Sequence, residues 1–411
     1  MPENTEVTRV VIVGGGLAGA KTAQALRDEG FTGSVTILAA EHELPYERPP
    51  LSKDYLAGEA EFDDALVAPA DWYAEHDVEV RMGTEAVAIR RDTTEVELAD
   101  GERVGYDALV LATGSEPVVP PLPNAADALY LRTRADADAI KATFGEGKRL
   151  VVVGGGWIGL EVAAAARKAG TAVVLLESAE FPLLGVLGRE MGTVFADLHA
   201  ANGVDVRTGT KVGEILPGGR GVRLEDGSEV EADAVVVGVG AAPRLALANS
   251  ALLETGSGVL VDGSLRTADP AIYAVGDIAE QDHPVLGRRV RVEHWATAQN
   301  QGSFVGALIA GKDDGPYDRL PYFFSDQYDL GMEYVGEAKP GTYSRVIVRG
   351  DLAGREFVAF WLDDGDHVLA AMNVNVWDVQ DDIKPLIAER TVVDADRLAD
   401  PQTPLGEVSS R

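Results

Sequence analysis

Apolar residues along this chain fall into short β-branched runs that are separated by glycine turns and alanine-rich stretches. Residues 10–41 read VVIVGGGLAGAKTAQALRDEGFTGSVTILAAE, and residues 150–178 read LVVVGGGWIGLEVAAAARKAGTAVVLLES. Each segment consists of a β-branched run, a glycine turn, an alanine-rich helix, a glycine stop and a second β-branched run. This order predicts a βαβ unit, and the sequence contains it twice.

The pattern changes after about residue 320. Short runs of alternating apolar and polar residues predict a small antiparallel sheet there, and we expect a helix near residues 376–390. The tail after Pro401 has no such pattern, and we expect it to be loose. The alternating runs are LPYFFSDQYDLGMEYVG, YSRVIVRG and EFVAFWLDDGDHVLAAMNV.

These patterns predict an α/β protein with two Rossmann-like dinucleotide-binding domains and a C-terminal α+β domain. The first nucleotide domain is expected to be discontinuous, in residues 1–115 and 244–320, because the second, residues 116–243, is inserted into it. The C-terminal domain is expected in residues 321–411. A length of 411 residues agrees with two or three domains, since a single core seldom grows that large.

Charge and composition exclude several kinds of partner and site. The formal net charge of −31 argues against nucleic acid and anionic membranes as partners. No apolar run approaches the length of a membrane span, and the N-terminus MPENTEVTR resembles no signal or transit peptide, so we expect a cytoplasmic protein. The chain has no cysteine, which excludes a disulfide, a thiolate metal site and a dithiol relay, and we expect no bound metal.

Both glycine turns have the spacing G-x-G-x-x-G, formed by Gly14, Gly16, Gly19, Gly154, Gly156 and Gly159. In such a motif the first glycine allows a tight turn, the second lets the backbone approach a pyrophosphate, and the third packs the helix on the strand. An acid follows each motif at the expected distance, Glu41 and Glu177, where a carboxylate accepts hydrogen bonds from ribose hydroxyls. The alternative is a glycine turn that only packs a helix, which two complete units disfavour.

Two dinucleotide sites in one chain indicate a flavin and a nicotinamide cofactor. The segment SAEFPLLGVLG after Glu177 contains no basic residue, and the first one beyond it is Arg189. A 2′-phosphate would therefore meet a carboxylate and no local cation. The second site is expected to prefer NADH to NADPH.

A further feature is the stretch PYERPPLSK at residues 45–53. Its two consecutive prolines exclude a regular helix and a central strand, and they would hold the segment rigid. The stretch ends in Lys53. Taken alone, this lysine could equally be a surface residue after a proline turn.

Together with DALVLATG, YLRT, TADPAIYAVGDIA, RVEHWATA and YFFSDQYDLG, these motifs resemble the NADH-dependent, FAD-containing ferredoxin reductases that serve bacterial oxygenases. The resemblance runs from about residue 8 to about residue 390 and implies a glutathione-reductase-like fold. It implies catalytic roles for Lys53, beside the reactive part of the flavin ring, and for Glu161, which is expected to pair with it. A cation at that place stabilises the extra negative charge of a reduced flavin.

The resemblance also implies further cofactor contacts. Arg48 and Arg132 are expected near the phosphates or adenosine of FAD, and Asp277 near its ribityl chain. Trp295 is expected to begin a helix that points at the pyrimidine edge of the flavin. Around FAD the remaining expected residues are Gly14, Gly16, Ala18, Gly19, Glu41, Lys53, Ala86, Thr113, Gly114, Glu293 (a neighbour of the nicotinamide) and Phe324. Around NADH they are Gly154, Gly156, Ile158, Gly159, Glu161, Glu177 and Gly240.

Because the chain has no cysteine, electrons must leave the flavin directly, and the resemblance implies a two-iron ferredoxin as their acceptor. The densest basic stretch is GRRVRVEH, so Arg288, Arg289 and Arg291 form the candidate docking surface. The alternative is an arginine-rich strand end without a partner. Two other functions stay open, a flavoprotein that reduces quinones, dyes or oxygen and a redox sensor similar to apoptosis-inducing factor. Monomer and homodimer also stay open.

Overall fold

The computed structural model describes residues 7–312 and 314–410. The chain forms two compact units, each assembled from three separate segments. The segments are residues 7–48, Phe62–Glu116 and Ala242–Arg319 in the first unit, and Pro49–Glu61, Pro117–Ala241 and residues 320–410 in the second. The proline-rich segment and the C-terminal region thus share a unit with the second glycine repeat. The assignment of one nucleotide to each of the predicted domains stays a prediction.

A five-stranded parallel sheet forms the centre of the first unit. Its strands, in spatial order, are Ile272–Ala274, Ala108–Leu111, Arg9–Val13, Ser34–Leu38 and Val78–Arg81. The central strand RVVIV is buried from its second residue onward, as expected for a parallel strand that is covered on both faces. The first predicted βαβ unit is confirmed, because the strands Arg9–Val13 and Ser34–Leu38 pair in parallel around the helix Leu17–Asp28.

Two helices of the first unit pack closely because of glycines. The helix Trp295–Ile309 lies against Leu17–Asp28. A Cβ added at Gly302 would lie 2.3 Å from the carbonyl oxygen of Ala18, and one at Gly306 would lie 2.4 Å from that of Thr22. Side chains at these two positions would force the helices apart.

The remaining elements of the first unit are two small three-stranded sheets and short helices. One sheet is antiparallel and consists of Ala86–Arg90, Glu95–Leu98 and Arg103–Gly105. The other consists of Val259–Val261, Ala279–His283 and Arg288–Val290. The short helices are Phe62–Ala65 (3₁₀), Ala70–Glu75, Ala246–Ser250 and Gly276–Ile278 (3₁₀).

The second unit repeats the parallel arrangement with four strands. Their spatial order is Asp205–Arg207, Ala172–Leu176, Arg149–Val153 and Ala234–Val237. The helix Trp157–Lys168 connects the strands Arg149–Val153 and Ala172–Leu176, which confirms the second predicted βαβ unit. Other elements here are the helices Asp54–Ala57, Arg134–Lys141 and Leu184–Ala201, the 3₁₀ turns Pro49–Ser52, Ala125–Asp127 and Pro217–Gly219, and the antiparallel strands Val212–Ile215, Gly221–Leu224 and Glu229–Glu231. The strands Ser115–Pro117 and Ala241–Pro243 lie where the chain passes between units.

The predicted C-terminal antiparallel sheet is confirmed. It contains five strands in the order Tyr322–Gln327, Leu330–Gly336, Val368–Val374, Glu356–Leu362 and Arg345–Asp351. The inner strand Glu356–Leu362 is buried from Phe357 onward, and the indole nitrogen of its Trp361 donates to the carbonyl oxygen of Leu187 at 3.2 Å. The expected helix is Gln380–Ala388, and a shorter helix, Ala395–Ala399, follows it.

The expectation of a loose tail after Pro401 is wrong for the residues that the structure describes. Leu405, in the 3₁₀ turn Leu405–Glu407, and Val408 are buried in the C-terminal hydrophobic core. The guanidinium of Arg349 donates to the carbonyl oxygens of Asp400 and Thr403 at 2.6 and 2.7 Å. The tail is therefore held by two buried apolar side chains and by hydrogen bonds to its backbone carbonyls. These contacts leave no periodic pattern in the sequence.

Candidate functional site

The first glycine turn has the geometry that a dinucleotide pyrophosphate requires. Gly14 has a φ of +127°, and a Cβ there would lie 2.1 Å from the carbonyl oxygen of Ala112. A Cβ at Gly19 would lie 2.2 Å from the carbonyl oxygen of Gly14, whereas one at Gly16 would meet no described atom within 4 Å. Gly16 precedes the helix Leu17–Asp28, whose first turn is capped by no described side chain and contains no acid. The open space and the unneutralised helix start suit a phosphate anion.

The acid after the first turn is held by a polar cluster. The carboxylate of Glu41 accepts from the Tyr46 hydroxyl at 2.5 Å and from the Arg48 guanidinium at 2.6 Å. Burial opposes the charge of Arg48, but Tyr46, Glu41 and Asp277 raise its pKa above the ordinary value, so it stays a cation. The structure thus brings three of the predicted FAD residues, Glu41, Arg48 and Asp277, into one electrostatic group.

Asp277 and Trp295 belong to two helical elements of the first unit. Asp277 is in the 3₁₀ turn Gly276–Ile278, and Trp295 begins the helix Trp295–Ile309 as expected. Burial lowers the pKa of the preceding His294 to about 4, against the opposing charge of Asp277, so this imidazole is neutral at pH 7. Glu293 forms an ion pair with Arg291, which also donates to the backbone carbonyl of Asp277 at 3.0 Å.

The other residues predicted around FAD occupy more ordinary positions. Ala18 is buried in the helix Leu17–Asp28, and Ala86 begins an edge strand. The Thr113 hydroxyl donates to the carbonyl oxygen of Arg244 at 3.2 Å, and the Arg244 amide donates to the Gly114 carbonyl at 2.9 Å. In the second unit, the backbone amide of Arg132 donates to the carboxylate of Asp136. No observation tests the cofactor contacts of these residues, which stay predictions.

The second glycine turn repeats the geometry of the first. Gly154 has a φ of +104°, and a Cβ there would lie 2.4 Å from the carbonyl oxygen of Gly238. A Cβ at Gly159 would lie 2.0 Å from the carbonyl oxygen of Gly154, while the nearest described atom to one at Gly156 is 3.8 Å away. The helix Trp157–Lys168 also has a first turn without an acid and without a described side-chain cap. The second turn is therefore equally suited to a pyrophosphate.

Glu177 is held differently from Glu41. Its carboxylate accepts from the backbone amides of Gly155 and Ala179, both at 2.7 Å. These two bonds fix the carboxylate beside the glycine turn. Because both amides are neutral, neither compensates the negative charge of Glu177. Two more residues predicted around NADH, Ile158 and Gly240, are exposed, and Ile158 retains 41% of its accessible surface beside the turn.

The predicted pair of Lys53 and Glu161 is present. The proline-rich segment forms the 3₁₀ turn Pro49–Ser52, and Lys53 then precedes the helix Asp54–Ala57. The Lys53 ammonium and the Glu161 carboxylate form an ion pair, with 13% and 6% of their side chains exposed. The ammonium also lies 5.7 Å from the centre of the Phe324 ring, so the structure groups three of the predicted residues.

Sequence reasoning missed the hydroxyl groups that hold this pair. Ser52 donates to Glu161 Oε2 at 2.5 Å, and Ser325 donates to Glu161 Oε1 at 2.6 Å. Both serines are buried, as is Glu161, which is 5% exposed. The two serines stand inside the motifs PPLSK and YFFSDQYD, but nothing in those motifs shows that they converge on one carboxylate. The arrangement satisfies a buried charge from three directions.

The three predicted docking arginines have different surroundings. Arg288 and Arg289 are exposed on the strand Arg288–Val290, and Arg289 donates to the carbonyl oxygen of Glu280 at 3.2 Å. Arg291 is largely buried, and Glu293 compensates its charge. Only the first two of these arginines therefore present their charge to solvent.

The described residues, 7–312 and 314–410, contain neither a helix that could span a membrane nor a cluster of metal ligands.

Comparison with known proteins extends these observations. Residues 8–302 match the family model described as pyridine nucleotide-disulphide oxidoreductase, and residues 322–409 match the model described as reductase C-terminal. The chain is 40% identical to putidaredoxin reductase of Pseudomonas putida over 97% of its own length and 96% of that protein. It is also 40% identical to the ferredoxin–NAD(+) reductase component of the anthranilate 1,2-dioxygenase system of Burkholderia cepacia, over 95% and 97% of the two chains.

A solved structure of the same kind of protein also matches this chain. The covalent complex of putidaredoxin reductase with putidaredoxin contains a chain that matches this one with a TM-score of 0.92 and 38% identity, over 97% of each chain. The predicted glutathione-reductase-like α/β fold with a C-terminal domain is thereby confirmed. The chain belongs to the pyridine nucleotide-disulphide oxidoreductase family and, within it, to the FAD-dependent ferredoxin reductases of oxygenase systems.

Proposed function

We propose that this protein takes electrons from NADH and passes them through FAD, one at a time, to a small two-iron ferredoxin that serves an oxygenase. As a member of its family it is an oxidoreductase that uses FAD and NADH. One observation carries the proposal further: the chain has two dinucleotide turns but no cysteine. The disulphide in the family's description cannot form here, so the electrons require an acceptor outside the chain. The names of the relatives support a ferredoxin in that role.

The first unit is the proposed FAD site. When bound, FAD accepts a hydride from NADH and releases the two electrons singly. The turn at Gly14 and Gly16 would hold its pyrophosphate, and the half-buried Arg48 would contribute a guanidinium that its ion pair with Glu41 fixes in place. Asp277 would accept hydrogen bonds from a polyol chain. The N-terminus of the helix that begins at Trp295 would favour negative charge nearby through the helix dipole, and neutral His294 adds no charge of its own.

Lys53 and Glu161 are the proposed catalytic residues. Glu161, held by Ser52 and Ser325, fixes the Lys53 ammonium at one place and so removes most of the freedom of a long flexible side chain. A positioned ammonium in a largely desolvated site stabilises a developing negative charge more strongly than a mobile one in water. The proposed work of this pair is electrostatic, and it requires no general base.

The second unit is the proposed NADH site, with a preference for NADH over NADPH. The carboxylate of Glu177 is fixed by two backbone amides at 2.7 Å, where it can accept from ribose hydroxyls. A 2′-phosphate would place two negative charges beside this carboxylate. Arg207, on a neighbouring strand, forms an ion pair with Asp205, so its charge is already compensated.

Arg288 and Arg289 are the proposed docking residues for the ferredoxin. They are exposed neighbours on one strand, and two adjacent cations on a protein of net charge −31 provide a local attraction for an acidic partner. Arg291 is left out of the docking surface because Glu293 pairs with it. We expect its removal to disturb the turn at Asp277 instead.

An anaerobic titration tests the proposed function. The flavin absorbance of the holoprotein is followed while NADH or NADPH is added, and oxidised two-iron ferredoxins, including putidaredoxin, are then supplied. The proposal expects fast bleaching by NADH, slow bleaching by NADPH and return of the colour with a ferredoxin. If NADH bleaches the protein but only quinones, dyes or oxygen restore the colour, the ferredoxin part is wrong. A long-lived bleached state with NADH-dependent dimerisation would favour a redox sensor.

The docking proposal has a separate test. The double variant Arg288→Glu/Arg289→Glu should raise the KM for the ferredoxin and weaken its dependence on salt, while bleaching by NADH stays as in the parent. The control is Arg220→Glu, which changes an exposed arginine of the second unit. The double variant changes the net charge by four units and the control by two, so an effect no more than twice that of the control would show that only overall charge matters and would contradict a docking role for this strand.

A further inference from the structure

A buried chain of hydrogen bonds continues from Glu161 into the interior of the second unit. Gln327 Nε2 donates to the Ser325 hydroxyl oxygen at 3.1 Å, and Gln327 Oε1 lies 2.9 Å from His199 Nε2. On its other side, His199 Nδ1 lies 3.5 Å from the Tyr328 hydroxyl. Gln327 and Ser325 are each 1% exposed, and His199 is 0% exposed. The chain therefore connects the catalytic pair to a buried imidazole through described side chains alone.

Strand geometry explains why Ser325 and Gln327 act together. They are two residues apart on the strand Tyr322–Gln327, so their side chains point to the same face of the sheet. Asp326, between them, points to the opposite face and is exposed. His199 reaches the same polar line from the helix Leu184–Ala201. A buried polar line of this kind is costly unless every member is bonded.

The direction of every bond follows from one condition, the ionised state of Glu161. An ionised carboxylate only accepts, so the single hydroxyl hydrogen of Ser325 must point to Glu161 Oε1. Ser325 can then only accept from Gln327, whose amide nitrogen must face it. Gln327 Oε1 consequently faces His199, which must carry its hydrogen on Nε2. Each donor in the line points towards Glu161. The tautomer of His199 therefore depends on the charge of the Glu161 carboxylate, from which it is separated by three successive hydrogen bonds.

Proton conduction along this line is disfavoured by Gln327. A side-chain amide would have to give up a nitrogen hydrogen and gain an oxygen-bound one, unlike a hydroxyl or a water. Burial lowers the pKa of His199, so the imidazole is neutral at pH 7. The other charged groups near the line are Lys53, which pairs with Glu161, the acidic residues Asp54 and Asp326, and Arg167 beside Tyr328. A fixed orientation is the function that these contacts support.

The far end of the line is itself held in an uncommon conformation. Tyr328 has a φ of +56°, in the left-handed region that a tyrosine seldom adopts. Its ring packs edge-on against the His199 ring, with their centres 5.2 Å apart. The turn that follows the strand Tyr322–Gln327 thus places an aromatic ring and a hydroxyl on the imidazole. Such a backbone conformation persists where its surroundings hold it.

We propose that Ser325, Gln327 and His199 are positioning residues that hold the ionised Glu161 carboxylate in one orientation towards Lys53. The proposal rests on the function proposed above for Lys53 and Glu161. It extends the site from an ion pair to a line of four further side chains that ends at Tyr328. None of these positioning residues is expected to touch the cofactor or the substrate.

The test uses the holoprotein labelled with ¹⁵N-histidine, and the six histidines of the chain are resolved by comparison with His199→Gln. The imidazole of His199 should carry its hydrogen on Nε2 alone. Ser325 has its bond to Gln327 and none to His199 in the line. The variant Ser325→Ala should nevertheless produce a mixture of His199 tautomers, because the side-chain amide of Gln327 can then rotate by 180°. The matched control is Gln380→Met, since Gln380 is a buried glutamine that donates to Asn373 at 2.6 Å, away from the line. It should leave the tautomer unchanged.

Flavin reduction by NADH is measured in the same variants by stopped flow. Gln327→Met should lower the limiting rate about fivefold, the factor expected for one net hydrogen bond, with the affinity for NAD⁺ unchanged. His199→Leu should behave similarly, whereas His199→Gln, which can still donate to Gln327, should restore most of the rate. Gln380→Met should keep the parent rate.

The outcomes separate this proposal from the function on which it rests. Mixed tautomers in the parent protein, or a Gln327→Met rate no lower than that of Gln380→Met, would overturn the positioning proposal. Mixed tautomers in the parent protein leave the proposed function intact. An unchanged rate in Gln327→Met also leaves it intact, provided that Glu161→Gln slows flavin reduction. If the tautomer responds as expected but Glu161→Gln reduces its flavin at the parent rate, the positioning line stands and the catalytic role of the pair is wrong.

Discussion

The substitution Lys53→Met tests how strongly the buried ion pair contributes to folding. It removes the ammonium and keeps most of the apolar length of the side chain. The Glu161 carboxylate then stays 5% exposed without its counter-ion. An uncompensated buried charge is among the few causes of large destabilisation by a single change.

The expected magnitude follows from the contacts that remain. Removing one partner of a buried ion pair costs about 3–5 kcal/mol of unfolding free energy. Glu161 keeps two short hydrogen bonds, from Ser52 at 2.5 Å and from Ser325 at 2.6 Å, and these partly satisfy its charge. We therefore expect Lys53→Met to lower the free energy of unfolding by about 3 kcal/mol, near the lower end of that range.

The assay is urea unfolding of the holoprotein followed by tryptophan fluorescence, with midpoints compared at equal slopes. The control is Lys168→Met, because Lys168 forms an exposed pair with Glu59 at 3.3 Å in the same unit. An exposed pair of this kind contributes about 0–1 kcal/mol. The double variant Lys53→Met/Glu161→Gln should lose less than the two single changes together, because neither charge is then left alone.

A Lys53→Met variant no less stable than Lys168→Met would refute this reasoning. It would mean that water or a rearranged side chain reaches Glu161 and that the site is less enclosed than the structure shows. Strict additivity in the double variant would contradict the direct coupling of the two charges. Both results would also weaken the electrostatic role proposed for the pair.

Three further predictions concern other parts of the molecule. Hydrogen bonds from Arg9 lower the pKa of Asp107, so Asp107→Asn should cost about 2 kcal/mol in urea unfolding at pH 7. Because that stabilisation is present above the unfolded pKa and is lost as the pH falls through the folded one, the difference from the parent should shrink below about pH 4. Gly14→Ala should abolish FAD retention on a desalting column, since its Cβ would lie 2.1 Å from a carbonyl oxygen; retained FAD would contradict the assignment of the turn. Val408→Ala should cost about 2 kcal/mol in the same unfolding assay and the exposed Glu407→Ala within about 0.5, and equal effects would argue for a loose tail.

Local patterns in the sequence predicted the elements that local forces determine. The two βαβ units, the glycine turns and the C-terminal antiparallel sheet each have a periodic signal over 10 to 30 residues, roughly the range in which such patterns are informative. The pair of Lys53 and Glu161 was predicted from a family resemblance, because 108 positions separate the two residues and no periodic signal links them.

The parts that the sequence could not show depend on residues that meet only in the folded chain. Ser325 and His199 reach the Glu161 line from a strand and a helix that are far apart in sequence. The tail was mispredicted for the same reason, because Leu405 and Val408 fill a space that the C-terminal sheet and helices create. The basic stretch was only partly informative, since its composition does not show that Arg291 turns inward to Glu293.

The two glycine turns are almost the same in backbone geometry, so their difference in proposed cofactor must come from the side chains around them. In the first unit, Glu41 is bonded to a cation, Arg48, at 2.6 Å, so its negative charge is compensated. In the second, Glu177 accepts from two backbone amides and from the Ser178 hydroxyl, which are neutral donors, so its negative charge remains available. FAD and NADH both carry a pyrophosphate, so the two sites differ only in the charge at the acid, and an uncompensated carboxylate disfavours a 2′-phosphate. The contrast between these two acids therefore supports NADH, and not NADPH, as the cofactor of the second turn.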